Sequence, residues 1–138
     1  MKVVFADTSY WIALVNPRDS LSEKAQQLTQ KLISSKVVTS EIVFGELLNT
    51  FSRHNSLLKE ASISLIDRAY ESPNIAVISQ DTELFKAALN LYRKRLDQAW
   101  SYVDCSSFVI MKQKKILEAL TYDRHFEQAG FIALLRQN

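Results

Sequence analysis

Short apolar runs alternate along this chain with longer, helix-length amphipathic stretches, and that alternation restricts its fold more than any other feature. Val3-Val4-Phe5-Ala6 opens the series as a continuous apolar run, the pattern of a parallel strand buried on both faces. Lys36 to Thr39, Ile75 to Ile78, Ile116 to Leu120 and Ile132 to Leu135 continue it. Thr8 to Val15 reads as a helix that stops before Pro17. Ser20-x-x-Glu23 has the form of a capping box opening a helix to about Ser34. Ser40 to Arg53 and Ser56 to Tyr70 follow as helices, the latter with Leu57, Ala61, Leu65, Ile66 and Ala69 on one side. Ser79 or Asp81 caps a helix running to about Leu96, and Asp104 to Lys114 is helical. Such alternation predicts an α/β chain, a three-layer α/β/α sandwich around a central parallel sheet of about five strands.

Composition narrows the class. With 138 residues and 47% apolar content, the chain is long enough for one domain, residues 1–138, with a sizeable core. A net charge of +2 leaves any nucleic-acid affinity to local patches. The single cysteine, Cys105, excludes an internal disulfide and a Cys-rich zinc site. Two glycines leave no room for a glycine-rich phosphate cradle. The apolar start is interrupted by Asp7 before it reaches signal-peptide length, and no stretch approaches a membrane span. The expected setting is cytoplasmic.

Four acids stand where apolar segments meet turns or helices: Asp7, Glu46, Asp104 and Asp123. Each has a local explanation. Asp7 can cap the helix from Thr8, Asp104 can close a box with Ser101, Asp123 can cap a short helix through Phe126, and Glu46 can be a boundary charge. Taken together they fit a different role. In open parallel sheets functional groups gather beyond the carboxyl ends of the strands, and Asp7 and Asp123 fall at or just past two such ends. Converging carboxylates repel and resist ionisation, and a divalent cation is the simplest remedy.

The segments carrying these acids resemble, in order, the motifs of PIN-domain nucleases. Val3-Val4-Phe5-Ala6-Asp7-Thr8-Ser9 resembles the family's opening, and Thr39 to Leu48, with Glu46 as the acid, its second motif. Ser101 to Phe108 and Thr121-Tyr122-Asp123-Arg124-His125-Phe126 resemble the third and fourth. The likeness spans essentially the whole chain and is strongest to the VapC-like toxin branch over Asp104–Met111 and Leu120–Phe131. It departs at Lys112-Gln113-Lys114-Lys115, where many relatives have a glycine-containing turn. The resemblance implies a Mg2+- or Mn2+-dependent endoribonuclease, the toxin of a toxin–antitoxin pair, acting on RNA and forming a homodimer. The alternative is a PIN fold serving only as an RNA-binding or interaction module, which loss of one acid would signal.

The residue chemistry agrees. An all-oxygen donor set selects a hard cation such as Mg2+. Asp7 and Asp104 are the expected nearest ligands, with Glu46 and Asp123 binding directly or through water, and Glu46 or Asp123 accepting a proton from the attacking water. Thr8, Ser9 and Ser107 are candidates for orienting the carboxylates. The local cations are Arg93-Lys94-Arg95, Lys112 with Lys114-Lys115, Arg53-His54 and Arg124-His125, with His125 expected to be a packed, hydrogen-bonded residue. Apolar side chains between Ser40 and Tyr70, including Phe44, Leu47, Leu48, Phe51, Leu57 and Leu58, exceed what one sheet face needs and point to the dimer surface. A phosphoacceptor receiver needs an acid where Ile78-Ser79 stand, and a haloacid-dehalogenase-type phosphatase needs one at Ser9.

Overall fold

All five apolar runs supply strands of one sheet, joined by four parallel ladders. The computed structural model describes residues 1–138. Strand β1 (Val3–Ala6) is followed by α1 (Thr8–Val15) and α2 (Ser22–Lys31); β2 (Lys36–Ser40) by α3 (Glu41–Thr50) and α4 (Ser56–Glu71). Then come β3 (Ile75–Ile78), α5 (Thr82–Lys94), α6 (Tyr102–Gln113), β4 (Glu118–Leu120), α7 (Arg124–Gln128), β5 (Ile132–Ala133) and a 3-10 turn over Leu134–Arg136. The sheet order is β3-β2-β1-β4-β5, and every pairing is parallel.

That order follows from the direction of the crossovers. The chain steps from β1 through β2 to β3 on one side, then returns across the sheet to place β4 on the other side of β1. Right-handed crossovers taken in opposite directions put their helices on opposite faces, so α1–α4 cover one face and α5–α7 the other. The reversal opens a crevice at the carboxyl ends of β1 and β4, the topological switch point of the sheet. Phe5, Val4, Leu120, Phe126, Leu47 and Met111 are fully buried in the core that both layers share. Cys105 is buried among them as a small apolar side chain.

Helix ends explain where the expected boundaries shift. Ser40 Oγ accepts from the Val43 amide and Asp81 from the Leu84 amide, so Asp81 rather than Ser79 caps α5. The Ser20-Glu23 box does not form: α2 begins at Ser22 with Leu21 at the cap position. Asp19 takes over, its carboxylate accepting from the Leu21 amide at 2.9 Å, a local turn that competes with a serine cap. Strand β5 is only two residues long because Leu134–Arg136 turns away, with the Leu135 amide donating to the Thr121 carbonyl. The apolar excess expected on α3 and α4 is used within the chain in part, since Phe44, Leu47 and Phe51 are buried. Leu48 of α3 and Leu57 of α4 stay exposed, and a second uncovered apolar stripe lies on α5: Phe85, Leu89 and Tyr92, with Leu96 just beyond.

Candidate active site

The switch-point crevice is a cleft of about 440 Å3 lined by all four acids, Asp7, Glu46, Asp104 and Asp123. Each arrives from a different element. Asp7 is the residue that ends β1 and precedes α1, and its backbone amide still donates to Leu120 of β4. Glu46 projects from the middle of α3. Asp104 lies in the first turn of α6 and Asp123 caps α7. No lysine or arginine lines the cleft.

The local duties foreseen for these acids are met unequally. Asp104 does close a capping box: its carboxylate accepts from the Ser101 amide and its own amide donates to Ser101 Oγ, both at 3.0 Å. Asp123 accepts from the His125 amide at 2.9 Å. Asp7 occupies the cap position of α1 but makes no capping hydrogen bond with its side chain. It is 5% exposed, and burial pushes its carboxyl up to about 7, with Asp104 and Glu46 adding repulsion and the Thr8 amide and Thr121 hydroxyl partly offsetting these. Burial also raises Asp104, assisted by Asp123 and opposed by the Ser101 amide and His125.

Two residues outside the predicted set organise the cleft. Thr121, at the end of β4, donates its hydroxyl to Asp7 at 2.8 Å and accepts from the Asp123 amide at 3.0 Å, joining two acids that are far apart in sequence. Its position after a strand and two residues before Asp123 was the available signal. His125 was expected to be packed and hydrogen-bonded, and it is, but its partners are the acids themselves. Its Nδ1 stands 2.9 Å from Asp104 and 3.3 Å from Asp123. Potential ligand atoms of Asp104, Asp123 and His125 all lie within 4.8 Å of one another. The predicted orienting hydroxyls behave otherwise: Ser9 accepts from the Tyr122 amide and contacts Thr121, while those of Thr8 and Ser107 are buried without partners. Tyr10, Trp11 and Phe108 are buried in the core rather than displayed near the acids.

The cleft fits a hard divalent cation. Its carboxylates are oxygen donors, Asp7 has no cationic neighbour to stabilise its charge, and the Thr8 hydroxyl lining the cleft lacks a hydrogen-bond partner. Together, the parallel sheet with its reversed strand order and the acid-lined crevice at that reversal define an α/β protein with a carboxylate site of metal-binding type. The PIN domain family matches residues 4–132, and the chain belongs to that family. It is 32% identical over 136 residues to the 23S rRNA-specific endonuclease VapC20 of Mycobacterium tuberculosis, covering 94% of this chain and 96% of that protein. The crystal structure of VapC20, described as a sarcin-ricin loop cleaving toxin, matches with a TM-score of 0.79 and 27% identity over 94% of this chain and 96% of the other. VapBC2 from Rickettsia felis (TM-score 0.68, 14% identity, 95% and 96% covered) shares the fold. So does FitAcB from Neisseria gonorrhoeae (TM-score 0.65, 19% identity, 94% of both chains covered).

Proposed function

We propose that this protein is a Mg2+- or Mn2+-dependent endoribonuclease that cleaves an exposed loop of RNA and serves as the toxin of a toxin–antitoxin pair. The observation that carries the reading is the convergence of Asp7, Glu46, Asp104 and Asp123 on one cleft free of lysine and arginine. Likeness to VapC20 along nearly the whole chain supports 23S rRNA, and its sarcin-ricin loop in particular, as the substrate to test first. All four acids of the family's motifs are present, which favours catalysis over a role as a binding module alone.

Asp7 and Asp104 are the nearest ligands in this reading, with Glu46 and Asp123 holding the ion directly or through water. When bound, the cation supplies concentrated positive charge against that developing on the phosphate and favours ionisation of a nearby water. Thr121 fixes the Asp7 carboxylate through its hydroxyl and holds the Asp123 backbone, so the two acids move as a unit. His125 steadies the Asp104 carboxylate, whose other contact is the Ser101 amide. Glu46 or Asp123, both less buried than Asp7, accepts the proton from the attacking water. A crowded cleft of this kind suits an unpaired backbone able to bend, not a stiff A-form duplex.

The partners follow from the same reading. No helix is long and apolar enough to cross a membrane, and a substrate of ribosomal RNA implies a cytoplasmic site of action. The exposed stripe Phe85, Leu89, Tyr92 and Leu96 supports an isologous homodimer through α5; a monomer in light scattering at tens of micromolar, roughly the range a specific dimer should survive, contradicts it. A cognate antitoxin would restrain the cleft. The deciding experiment compares the purified protein with its Asp7→Asn variant on total RNA and on a sarcin-ricin hairpin, with Mg2+ or with chelator. Cleavage by the unsubstituted protein alone, and only with metal, supports the assignment; equal cleavage by both proteins refutes it.

A further inference from the structure

Two of the basic runs named among the local cations meet at one place in the fold. Lys94 and Arg95, at the end of α5, and Lys112, in the last turn of α6, line a cavity of about 330 Å3 separate from the acid cleft. Its apolar wall includes Trp100, Phe108 and Phe131. Phe108 packs edge-on to Trp100 at 5.0 Å between ring centroids and tilted by 34° against Phe131 at 5.6 Å. The Arg95 guanidinium lies over the Trp100 ring, 5.0 Å from its centroid. Its only ionic partner is the exposed Asp97, and no acid lines the cavity.

Helix C-termini favour lysine and arginine through the helix dipole, which accounts for the presence of these cations but not for their convergence over an aromatic wall. One segment of chain reaches both the cavity and the acid cleft. Ala99 and Ser101 line the cleft while Trp100, between them, lines the cavity. The cavity's cations lie farther off, Lys112 being eight residues along α6 from Asp104, about 12 Å at the helical rise. Trp100 further donates its indole N–H to Gln128 at the end of α7, the helix whose beginning holds Asp123 and His125.

We propose that this cavity is a nucleotide subsite that seats one unpaired base of the RNA a few nucleotides away from the scissile phosphate. The inference rests on the ribonuclease reading above and adds to it a place where base identity is felt. The base lies against Phe131, Val109 and the Arg95–Trp100 stack, since both aromatic rings and guanidinium planes stack on bases. Lys94 and Lys112 receive its flanking phosphates. An RNA strand engaged in a cleft with no lysine or arginine of its own gains its counter-charge here.

The test measures binding rather than cleavage, using the Asp7→Asn protein and a fluorescent sarcin-ricin hairpin by anisotropy. The Lys94→Ala/Lys112→Ala pair should lower affinity about tenfold at moderate salt and make the salt dependence shallower, the signature of lost phosphate contacts. Val109→Phe, which fills the cavity without changing charge, should weaken binding about fivefold with the salt slope unchanged, in line with loss of base stacking. Hairpins carrying a single abasic site at each loop position should lose affinity at one position, and Val109→Phe should erase that loss. A flat abasic scan, or a Val109→Phe protein that binds the intact hairpin as tightly as its parent, overturns the proposal. If Val109→Phe does not fold, the abasic scan on the parent and on the lysine pair decides. Loss of antitoxin binding with RNA binding intact assigns the cavity to a peptide and likewise overturns it. Metal-dependent cleavage with a flat scan removes the subsite alone, whereas no cleavage of any RNA removes the ribonuclease reading, so the two failures are distinct.

Discussion

The two ends of the sheet each hold an unfavourable arrangement, and they differ in what depends on it. At the carboxyl end, Asp7 is buried with its charge answered only by a threonine hydroxyl and nearby backbone, and other carboxylates share its cleft. At the amino end, the turns into β4 and β5 are built alike. Ile116 donates to Met111 and Lys115 to Lys112 after α6; Phe131 donates to Phe126 and Gly130 to Glu127 after α7. Both are Schellman closures, which need one residue with left-handed backbone. Gly130 meets that need at φ 96°, whereas after α6 the residue is Lys115 at φ 57°. The electrostatic strain at one end is inseparable from the proposed chemistry. The conformational strain at the other serves no group in the cleft, so relieving it should leave activity alone.

The largest effect should come from removing an acid. Asp7→Asn or Asp104→Asn should each lower metal-dependent RNA cleavage by at least about 100-fold, the scale seen when one group aimed at transition-state charge is lost. Single-turnover rates with the sarcin-ricin hairpin measure it, and a loss under about threefold would break the contrast between the two ends. The same Asp7→Asn change should stabilise the metal-free protein by roughly 2–4 kcal/mol at neutral pH. Its sign follows from the raised carboxyl, shifted from 3.8 to about 7. Well below pH 3.8 the acid is protonated in both folded and unfolded chains and no penalty exists. As pH rises toward 7 the unfolded chain ionises first, and folding then opposes ionisation, so wild-type stability falls more steeply across that window than that of Asp7→Asn, which retains only the raised Asp104. Thermal unfolding in chelator between pH 4 and 8 checks it, and added Mn2+ should narrow the gap by binding the folded wild type.

Thr121→Val sharpens the comparison further, because it keeps every carboxylate and removes only the hydroxyl that joins Asp7 to Asp123. Metal affinity, followed by titration of the thermal midpoint with Mn2+, should fall by about tenfold, as for other residues that orient ligands. The smallest effect belongs to the amino end. Lys115→Gly should raise stability by about 1 kcal/mol, the typical cost of holding a side-chain-bearing residue in left-handed backbone. Chemical denaturation measures the gain, and the cleavage rate should remain that of the parent.

Much of this protein was legible before any coordinates. The parallel α/β architecture followed from apolar runs too continuous for half-exposed strands; Asp7 and Asp123 stood just past such runs, Asp104 at a helix start, and Glu46 as a lone acid inside an apolar helix. Local chemistry placed helix starts well where one residue dominates, as at Ser40 and Asp81. It failed at Ser20, where the Asp19 carboxylate reached the Leu21 amide first, because two short polar side chains competed for one turn. It also assigned to a dimer surface the side chains of Phe44, Leu47 and Phe51 that the monomer's core absorbs. Periodicity reveals that a face is apolar, not which partner covers it.

What the sequence determined by itself was the inventory: strands, helices and the acids at their ends, each set by interactions within a few residues. The tertiary structure alone decided that β4 returns beside β1, which brings Thr121 between Asp7 and Asp123 and sets His125 against Asp104. It alone brought Lys94 and Arg95 to the same cavity as Lys112. Those meetings join residues separated by long stretches of chain, and their geometry depends on crossover handedness and sheet order, which no local window of residues encodes.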